Sequence, residues 1–205
     1  MQTIIFDFDG TIANTLEATV EVYNELAPRF RCKPVSSDDL EHLRNGRPKE
    51  LMAEFGIKAW KLPFIVFAVR KGLGDRKVLP QIGIIDTIRK LKNQGALLGI
   101  LTSNSKENVE RFLKEHDLQN SFAFINSYRR IFGKHKALIS IMKQRGLNQS
   151  EVTYVGDEVR DIEAAEKAGV KSVGVVWGFQ TQGAIKDADP DVVAIKPLDL
   201  LELTK

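Results

Sequence analysis

The sequence has little cysteine, no long apolar run and almost no net charge, and each shortage excludes a class of protein. Cys32 is the one cysteine in 205 residues, so no internal disulfide forms, and a lone thiol fits a reducing compartment. No apolar run approaches the roughly 18 residues of a membrane-spanning helix. The first apolar residues, Ile4 to Phe6, lead directly into Asp7, unlike a secretory signal. We therefore expect a cytoplasmic protein without a membrane partner.

The charge balance argues against a nucleic-acid partner. Lys and Arg total 30 against 27 Asp and Glu, which gives a formal net charge of +3, and the basic residues are scattered along the sequence. The apolar fraction of 43% is ordinary for a globular protein. The length allows one large domain, or a domain that carries a smaller insertion, and gives no indication of oligomeric state.

Short apolar runs alternate with amphipathic stretches along most of the chain. Continuous apolar runs are typical of parallel strands buried on both faces, and the stretches between them have helical periodicity. This alternation predicts an α/β fold with a doubly wound parallel sheet. Strands are predicted at 4–6 and within 96–105, 122–126, 152–161 and 171–179, and the tail 191–203 predicts an edge strand and a final helix.

The segment 14–79 does not follow this alternation. It contains no clear strand, and its pattern predicts four helices. The expected interruptions between them are Pro28, Pro34, Pro48 and Gly56. The sequence therefore predicts a helical insertion between the first strand and the rest of the sheet.

Polar side chains follow three of the predicted strands. They are Asp7 and Asp9, then Thr102, Ser103 and Asn104, and then Asp157 and Glu158 with Asp161 one turn later. Ligands of open parallel sheets bind beyond the carboxyl ends of the strands, so we expect these side chains to meet at one edge. Carboxylates as close as Asp7 and Asp9 repel each other unless a cation lies between them or one of them stays protonated. For such an acidic cluster we expect a cation, and oxygen ligands select a hard ion such as Mg²⁺.

A metal ion beside a nucleophilic carboxylate indicates phosphoryl transfer. A substrate phosphate would bring further negative charge, so a lysine should help to neutralise it. Lys134 and Lys136, at the start of a predicted helix, are the candidates. Backbone N–H groups of the turn at 102–104 and of the helix that follows it would bind phosphate oxygens.

The ordered motifs resemble those of the haloacid dehalogenase superfamily, in its branch with a small helical cap, which includes phosphoglycolate phosphatases. The four motifs are DFDGT at 7–11, LGILTSN at 98–104, FGK at 132–134 and GDEVRD at 156–161. The resemblance covers nearly the whole chain. It implies a Rossmann-like catalytic core formed by 1–13 and 80–205, with a helical cap domain at 14–79. His135 and Lys136 stand where those phosphatases have a proline-rich stretch, so Lys136 stays an alternative to the favoured Lys134.

The resemblance also implies a role for each motif residue. Asp7 would be the nucleophile that forms an aspartyl-phosphate, and Asp9 would be the general acid and base. Lys134 would orient the nucleophile and offset its charge. Phosphate binding is implied for Gly10, Thr102, Ser103, Asn104 and Lys134. Metal binding is implied for Asp7, Asp9 (through its carbonyl), Asp157 and Asp161, with Glu158 nearby.

The resemblance thus implies a Mg²⁺-dependent phosphatase that acts on a small phosphorylated metabolite. It suggests 2-phosphoglycolate first, and sugar phosphates, nucleotides and pyrophosphate stay open. A phosphomutase with the same core is an alternative. So is a phosphate-binding or signalling protein without turnover; a receiver domain has similar residues, but in another order and without a helical insertion.

Three groups outside the motifs carry weaker signals. In the helical insertion, the spacing of four aromatic residues is that of helix packing, and we expect them to form its core, with the walls of a substrate pocket as the alternative: Phe55, Trp60, Phe64 and Phe67. Arg44 and Arg47 could bind a substrate carboxylate or lie in a solvated loop. Trp177–Phe179 follows the last buried strand and is expected to pack there, with a place at the border of the site as the alternative.

Overall fold

The computed structural model describes residues 1–46, 48–128 and 133–204. The chain divides into two compact units, one formed by Met1–Asn14 with Leu79–Lys205 and the other by Thr15–Val78. Phe132 of the FGK motif and Arg47 lie outside the described residues. In the part of the chain that the structure describes, we find no helix long and apolar enough to cross a bilayer.

A six-stranded parallel sheet forms the centre of the first unit. The described strands are β1 (Thr3–Phe6), β2 (Ala13–Asn14), β3 (Leu79–Pro80), β4 (Leu97–Thr102), β5 (Phe124–Ser127), β6 (Val152–Gly156), β7 (Lys171–Val175) and β8 (Val192–Ala194). The strand order is β5-β4-β1-β6-β7-β8, and every pairing is parallel. All residues of β1 and β6 are buried, as expected for a sheet covered on both faces. The predicted α/β fold is confirmed.

Helices connect these strands and form most of the second unit. They are α1 (Leu16–Phe30), α2 (Asp39–Asn45), α3 (Pro48–Glu54), α4 (Leu62–Leu73), α5 (Ile84–Asn93), α6 (Lys106–Glu115), α7 (Lys134–Arg145), α8 (Val159–Ala168) and α9 (Gln182–Asp187). Short 3-10 helices lie at Ala59–Lys61, Gln149–Glu151 and Pro197–Thr204. The predicted final helix is therefore a 3-10 helix, and α9, which begins after a Thr181 side-chain cap, was not predicted.

Two helices are packed on the sheet so that their first turns reach its carboxyl edge. α7 and α8 pack against each other, and Leu138 of α7 and Ala165 of α8 share one buried cluster with Ile5, Leu101 and Tyr154 of the sheet. Burial of this apolar surface fixes both helices relative to β1 and β6. Their N-terminal side chains are positioned by the same packing.

In the second unit, α1 and α4 pack closely along an aliphatic seam. The buried residues of this seam are Val22, Ile65, Val69 and Leu73. A Cβ added to Gly72 would lie 2.5 Å from Val22 Cγ1, so glycine permits this close approach. Pro28 was expected to interrupt a helix, but it lies inside α1, which continues to Phe30. A proline near the end of a helix removes only one hydrogen bond, and the packed seam outweighs that loss.

Most of the aromatic residues expected to form the core of this unit are exposed instead. Phe55 is buried, but Trp60, Phe64 and Phe67 are 66%, 62% and 67% exposed, so the prediction is wrong for these three. α4 is apolar on several faces, and its periodicity therefore does not decide which face is buried. β-branched Ile65 and Val69, one turn apart, pack against α1 instead.

A short antiparallel ladder joins the two ends of the insertion. Ala13 of β2 pairs with Pro80 of β3, and Asn14 pairs with Leu79. We expected no strand in 14–79, and two-residue strands are too short to give a detectable alternation. The chain leaves the first unit at one strand of this ladder and returns at the other.

Candidate active site

Three carboxylates predicted to meet at the sheet edge lie together there. Asp7 follows β1, Asp157 follows the neighbouring β6, and Asp161 lies in the first turn of α8. One oxygen from each lies within 4.8 Å of the others. The three residues are 4%, 0% and 1% exposed. Burial of so many carboxylates is unfavourable unless positive charge is placed beside them.

Lys134 supplies positive charge from the first turn of α7. Its Nζ donates to Asp7 Oδ2 at 2.8 Å and to Asp161 Oδ1 at 2.5 Å. Burial lowers the pKa of Lys134, but the carboxylates of Asp161 and Asp7 outweigh that effect and hold the pKa well above its usual value. Lys134 therefore stays protonated. Of the two candidate lysines, Lys134 contacts the acidic residues, and Lys136 is exposed.

One lysine does not fully offset the cost of burying these acids. Burial raises the pKa of Asp7 to about 7, with Asp161 also raising it and Lys134 acting in the opposite direction. Burial, followed by the charges of Glu158, Asp161 and Asp7, raises the pKa of Asp157 well above its usual range. The site therefore favours either bound protons or a further cation.

The Asp157 carboxylate is enclosed by two loops. Thr11 Oγ1 donates to its Oδ1 at 2.8 Å, and the Phe179 N–H donates to its Oδ2 at 2.7 Å. A Cβ added to Gly10, which has φ +78°, would lie 2.1 Å from Asp157 Oδ2. A Cβ at Gly178 would lie 2.2 Å from Asp157 Cβ. Both positions need glycine because the carboxylate fills the space that a side chain would occupy.

These loops are held together by polar contacts. Phosphate binding was predicted for Gly10, but its N–H donates to Ala13 O at 2.8 Å and so already has a partner within its own loop. Gln81 Nε2 donates to Gly10 O at 2.8 Å. Trp177 Nε1 donates to Thr11 O at 3.0 Å. Of the two expectations for Trp177–Phe179, the structure therefore supports a place at the border of the site, because Trp177 holds the Thr11 loop and Phe179 contacts Asp157.

The end of β4 positions Asp9. Asn104 Nδ2 donates to Asp9 Oδ1 at 3.0 Å, while Asn104 Oδ1 accepts from Asn108 Nδ2 at 3.0 Å. Thr102, fully buried, accepts from the Asn104 N–H at 3.0 Å through Oγ1, and Ser103 is half-buried. Asn108 was missed by sequence reasoning. Asn108 lies in the first turn of α6, whereas Asn104 precedes the Ser105 N-cap of that helix, so no helical periodicity joined the two residues in the sequence.

Glu158 has a local partner. Its carboxylate accepts from Arg160 Nη2 at 2.5 Å, and its N–H donates to Asp161 Oδ2 at 3.2 Å. The second bond helps to orient Asp161 at the start of α8. Glu158 thus acts on the acidic group in two ways, through the orientation of Asp161 and through its charge, which raises the pKa of Asp157.

The three buried carboxylates fit a divalent cation. Their oxygens are the hard ligands that Mg²⁺ prefers, and they converge on one point. A divalent ion would also replace the protons that burial favours on Asp7 and Asp157. The carboxylate of Asp9 lies outside this group of three, so a metal contact from Asp9 would come from its main chain, as the resemblance implies.

The metal-free protein should lose stability as the pH rises from about 4 to about 7. The Asp7 carboxyl holds its proton to pH about 7 in the folded state but only to its usual 3.8 when unfolded. The folded state therefore binds more protons in this window, so this contribution is complete below the unfolded pKa and lost as pH rises through the folded one. At about 1.4 kcal/mol per pKa unit, we expect a loss of about 1–3 kcal/mol between pH 5 and 8.

Urea unfolding in EDTA at both pH values measures this loss. Asp7→Asn removes the titrating group and should show a clearly smaller decrease. Equal decreases in the two proteins would contradict a raised pKa at Asp7.

Known proteins match most of the chain. The model of the haloacid dehalogenase-like hydrolase family matches residues 4–175. A phosphoglycolate phosphatase from Synechococcus elongatus is 35% identical over 204 residues, which cover 98% of this chain and 96% of that protein. The pyrophosphatase PpaX from Halalkalibacterium halodurans is 25% identical, and the match covers 99% of this chain and 96% of that protein. A solved haloacid dehalogenase-like hydrolase from Streptococcus pneumoniae has a TM-score of 0.82 at 20% identity, covering 100% and 99% of the two chains.

Proposed function

We propose that this chain, which belongs to the haloacid dehalogenase-like hydrolase family, is a Mg²⁺-dependent phosphatase that hydrolyses a small phosphomonoester through an aspartyl-phosphate. One observation carries the proposal. Lys134 holds the Asp7 carboxylate within a buried group of three carboxylates, beside Asp9 at the same sheet edge.

Asp7 is suited to be the nucleophile. Its Oδ1 accepts the Phe8 N–H at 2.8 Å and its Oδ2 accepts from Lys134 at 2.8 Å, so the carboxylate has one orientation. An Asp7 oxygen would attack phosphorus and displace the alcohol oxygen. Fixing the nucleophile in advance lowers the entropic part of the barrier. Lys134 would offset the charge that gathers on the phosphoryl oxygens.

Asp9 is suited to move the proton. In the first step it would donate a proton to the departing alcohol oxygen, and in the second it would accept one from the water that attacks the aspartyl-phosphate. Release of phosphate then restores Asp7. Asn104 holds the carboxylate of Asp9 at 3.0 Å, and Asn108 fixes the orientation of the Asn104 amide. These two asparagines position the acid and base without reacting.

Mg²⁺ would be held by Asp7, Asp157 and Asp161, with Asp9 contributing its carbonyl. Bound there, the ion would stabilise negative charge on the transferred phosphoryl group. Thr102 and Ser103, together with backbone N–H groups at the start of α6, would bind the phosphoryl oxygens. Gly10 would contribute through the shape of its loop, because its N–H is already bonded.

The leading substrate is 2-phosphoglycolate. This choice follows the name of the Synechococcus elongatus relative, which matches nearly the full length of both chains. Pyrophosphate is the second candidate, on the name of the Halalkalibacterium halodurans relative. The unit Thr15–Val78 would be the cap domain that the family resemblance implies, and the lone cysteine supports a cytoplasmic location.

Phosphate release from a panel of substrates tests the function. The panel holds 2-phosphoglycolate, pyrophosphate, a hexose phosphate and a nucleoside monophosphate, each with Mg²⁺ and with EDTA. We expect 2-phosphoglycolate to be hydrolysed fastest. Its rate of phosphate release should fall at least about 100-fold in EDTA and recover when Mg²⁺ is restored. Activity that is unchanged in EDTA would contradict the metal assignment. A preference for pyrophosphate would support the second candidate, and isomerisation of the hexose phosphate without phosphate release would support a mutase.

A further inference from the structure

The helical unit contains a groove that the proposed reaction does not use. It has a volume of about 1160 Å³ and lies between the end of α1, the 3-10 helix Ala59–Lys61 and one face of α4. All of its lining residues belong to Thr15–Val78, and none is among the proposed catalytic, phosphate-binding or metal-binding residues.

The groove gathers positive charge. Its cationic residues are Arg29, Arg31, Lys58, Lys61 and Lys71, and among the described lining residues Asp75 is the one carboxylate. The ion pairs seen between described residues do not include any of these five side chains. Basic residues that are scattered in the sequence are therefore brought to one groove by the fold. Several cations that line one groove raise the local positive potential and attract an anion.

The same groove exposes aromatic faces. Trp60, Phe64 and Phe67 line it and are each more than three-fifths exposed, at 66%, 62% and 67%. Lys61 Nζ lies 5.6 Å from the centre of the Trp60 ring, and its Nζ also donates to Phe30 O at 2.6 Å. Large aromatic side chains grouped on a surface mark binding sites, because leaving them in water is unfavourable. Aromatic rings beside cations are suited to a planar ring that carries negative charge.

We propose that this groove is a second binding site, for a nucleoside polyphosphate. The phosphate chain would lie among the cations, and the base would stack on the aromatic side chains. Typical small-molecule pockets have volumes of roughly 300–1,000 Å³. The groove is only slightly larger, so it has room for one ligand of this size.

Charge decides against a second copy of the chain as the occupant. An isologous dimer through this surface would place two sets of five cations face to face. A nucleic-acid strand and an anionic membrane are other anionic occupants that basic and aromatic side chains bind. These occupants are separate outcomes of the test.

Calorimetric titration with ATP, inorganic tripolyphosphate and adenosine tests the site. The variant is Lys58→Gln with Lys71→Gln, and the matched control is Lys33→Gln with Lys77→Gln, two exposed lysines of the same unit outside the groove. We expect the first pair to weaken ATP binding at least about tenfold and the control pair less than about twofold. Phe64→Ala with Phe67→Ala should weaken ATP binding but not tripolyphosphate binding.

Several results would overturn the proposal. They are no ATP binding at millimolar concentration, equal weakening by both lysine pairs, or loss of ATP binding when BeF₃⁻ occupies Asp7, which would place ATP at the site of hydrolysis. Light scattering, an oligonucleotide and anionic vesicles test the other occupants. A dimer that Phe64→Ala with Phe67→Ala disrupts, or binding of either macromolecular probe more tightly than ATP, would also overturn it.

Discussion

Asp7→Asn should abolish turnover, lowering the rate of phosphate release at least about 10³-fold, while the protein stays folded. The amide is nearly isosteric with the carboxylate but cannot form the acyl phosphate, so the covalent step is lost. Removing one buried charge from a crowded acidic group should not destabilise the protein at neutral pH, because burial already raises the pKa of Asp7 to about 7. Initial rates and urea unfolding on the same samples separate the two effects.

The matched control for this substitution is Asp86→Asn, at an exposed position in the first turn of α5. It makes the same chemical change outside the site and should keep the activity within about twofold. A second readout is binding of BeF₃⁻, which mimics a phosphoryl group on a carboxylate and should be lost in Asp7→Asn. Substantial turnover in Asp7→Asn would assign the nucleophile elsewhere, and loss of activity in both variants would point to a nonspecific effect.

Lys134→Ala should lower the free energy of unfolding by about 3–5 kcal/mol at pH 8 in metal-free buffer. Removing one member of a buried ion pair leaves its partners uncompensated, and Lys134 contacts both Asp7 and Asp161. At pH 5 the loss should be smaller, because Asp7 is then protonated in the folded state. Urea unfolding at the two pH values measures the difference.

Lys136→Ala is the control on the same helix. Lys136 is exposed, so its loss should change stability by less than about 0.5 kcal/mol and leave the rate of phosphate release nearly unchanged. If both substitutions destabilise the protein equally, the ion pairs of Lys134 are not what stabilises the acidic group. This comparison also tests which lysine belongs to the third motif.

The family, the parallel sheet and the convergence of Asp7, Asp157 and Asp161 could be predicted because each depends on local sequence. Buried strands appear as apolar runs, and parallel connections bring their carboxyl ends to one edge. The family match over residues 4–175 confirms the family that the motifs indicated. The residue roles and the 14–79 boundary stay predictions.

Contacts made across the chain could not be predicted in the same way. Thr11 and Phe179 are far apart in sequence, yet both donate to Asp157, and no local pattern records that meeting. The groove of the helical unit was missed for a similar reason. Arg29 of α1 and Lys71 of α4 line the same groove because α1 packs on α4. The hydrophobic pattern of α4 does not show which of its apolar residues are buried, so the exposure of Phe64 and Phe67 could not be predicted.

The ladder of β2 and β3 has a consequence for how such a protein can change over evolutionary time. Residues paired across an antiparallel ladder have Cα atoms only about 4.5–5.5 Å apart, so the points at which the insertion departs and returns are adjacent. For the first unit, all of Thr15–Val78 is topologically the loop of one hairpin. The cost of closing a loop grows only with the logarithm of its length. The insertion can therefore be lengthened, shortened or exchanged as one piece during evolution, while the Asp7 loop and the sheet stay unaltered.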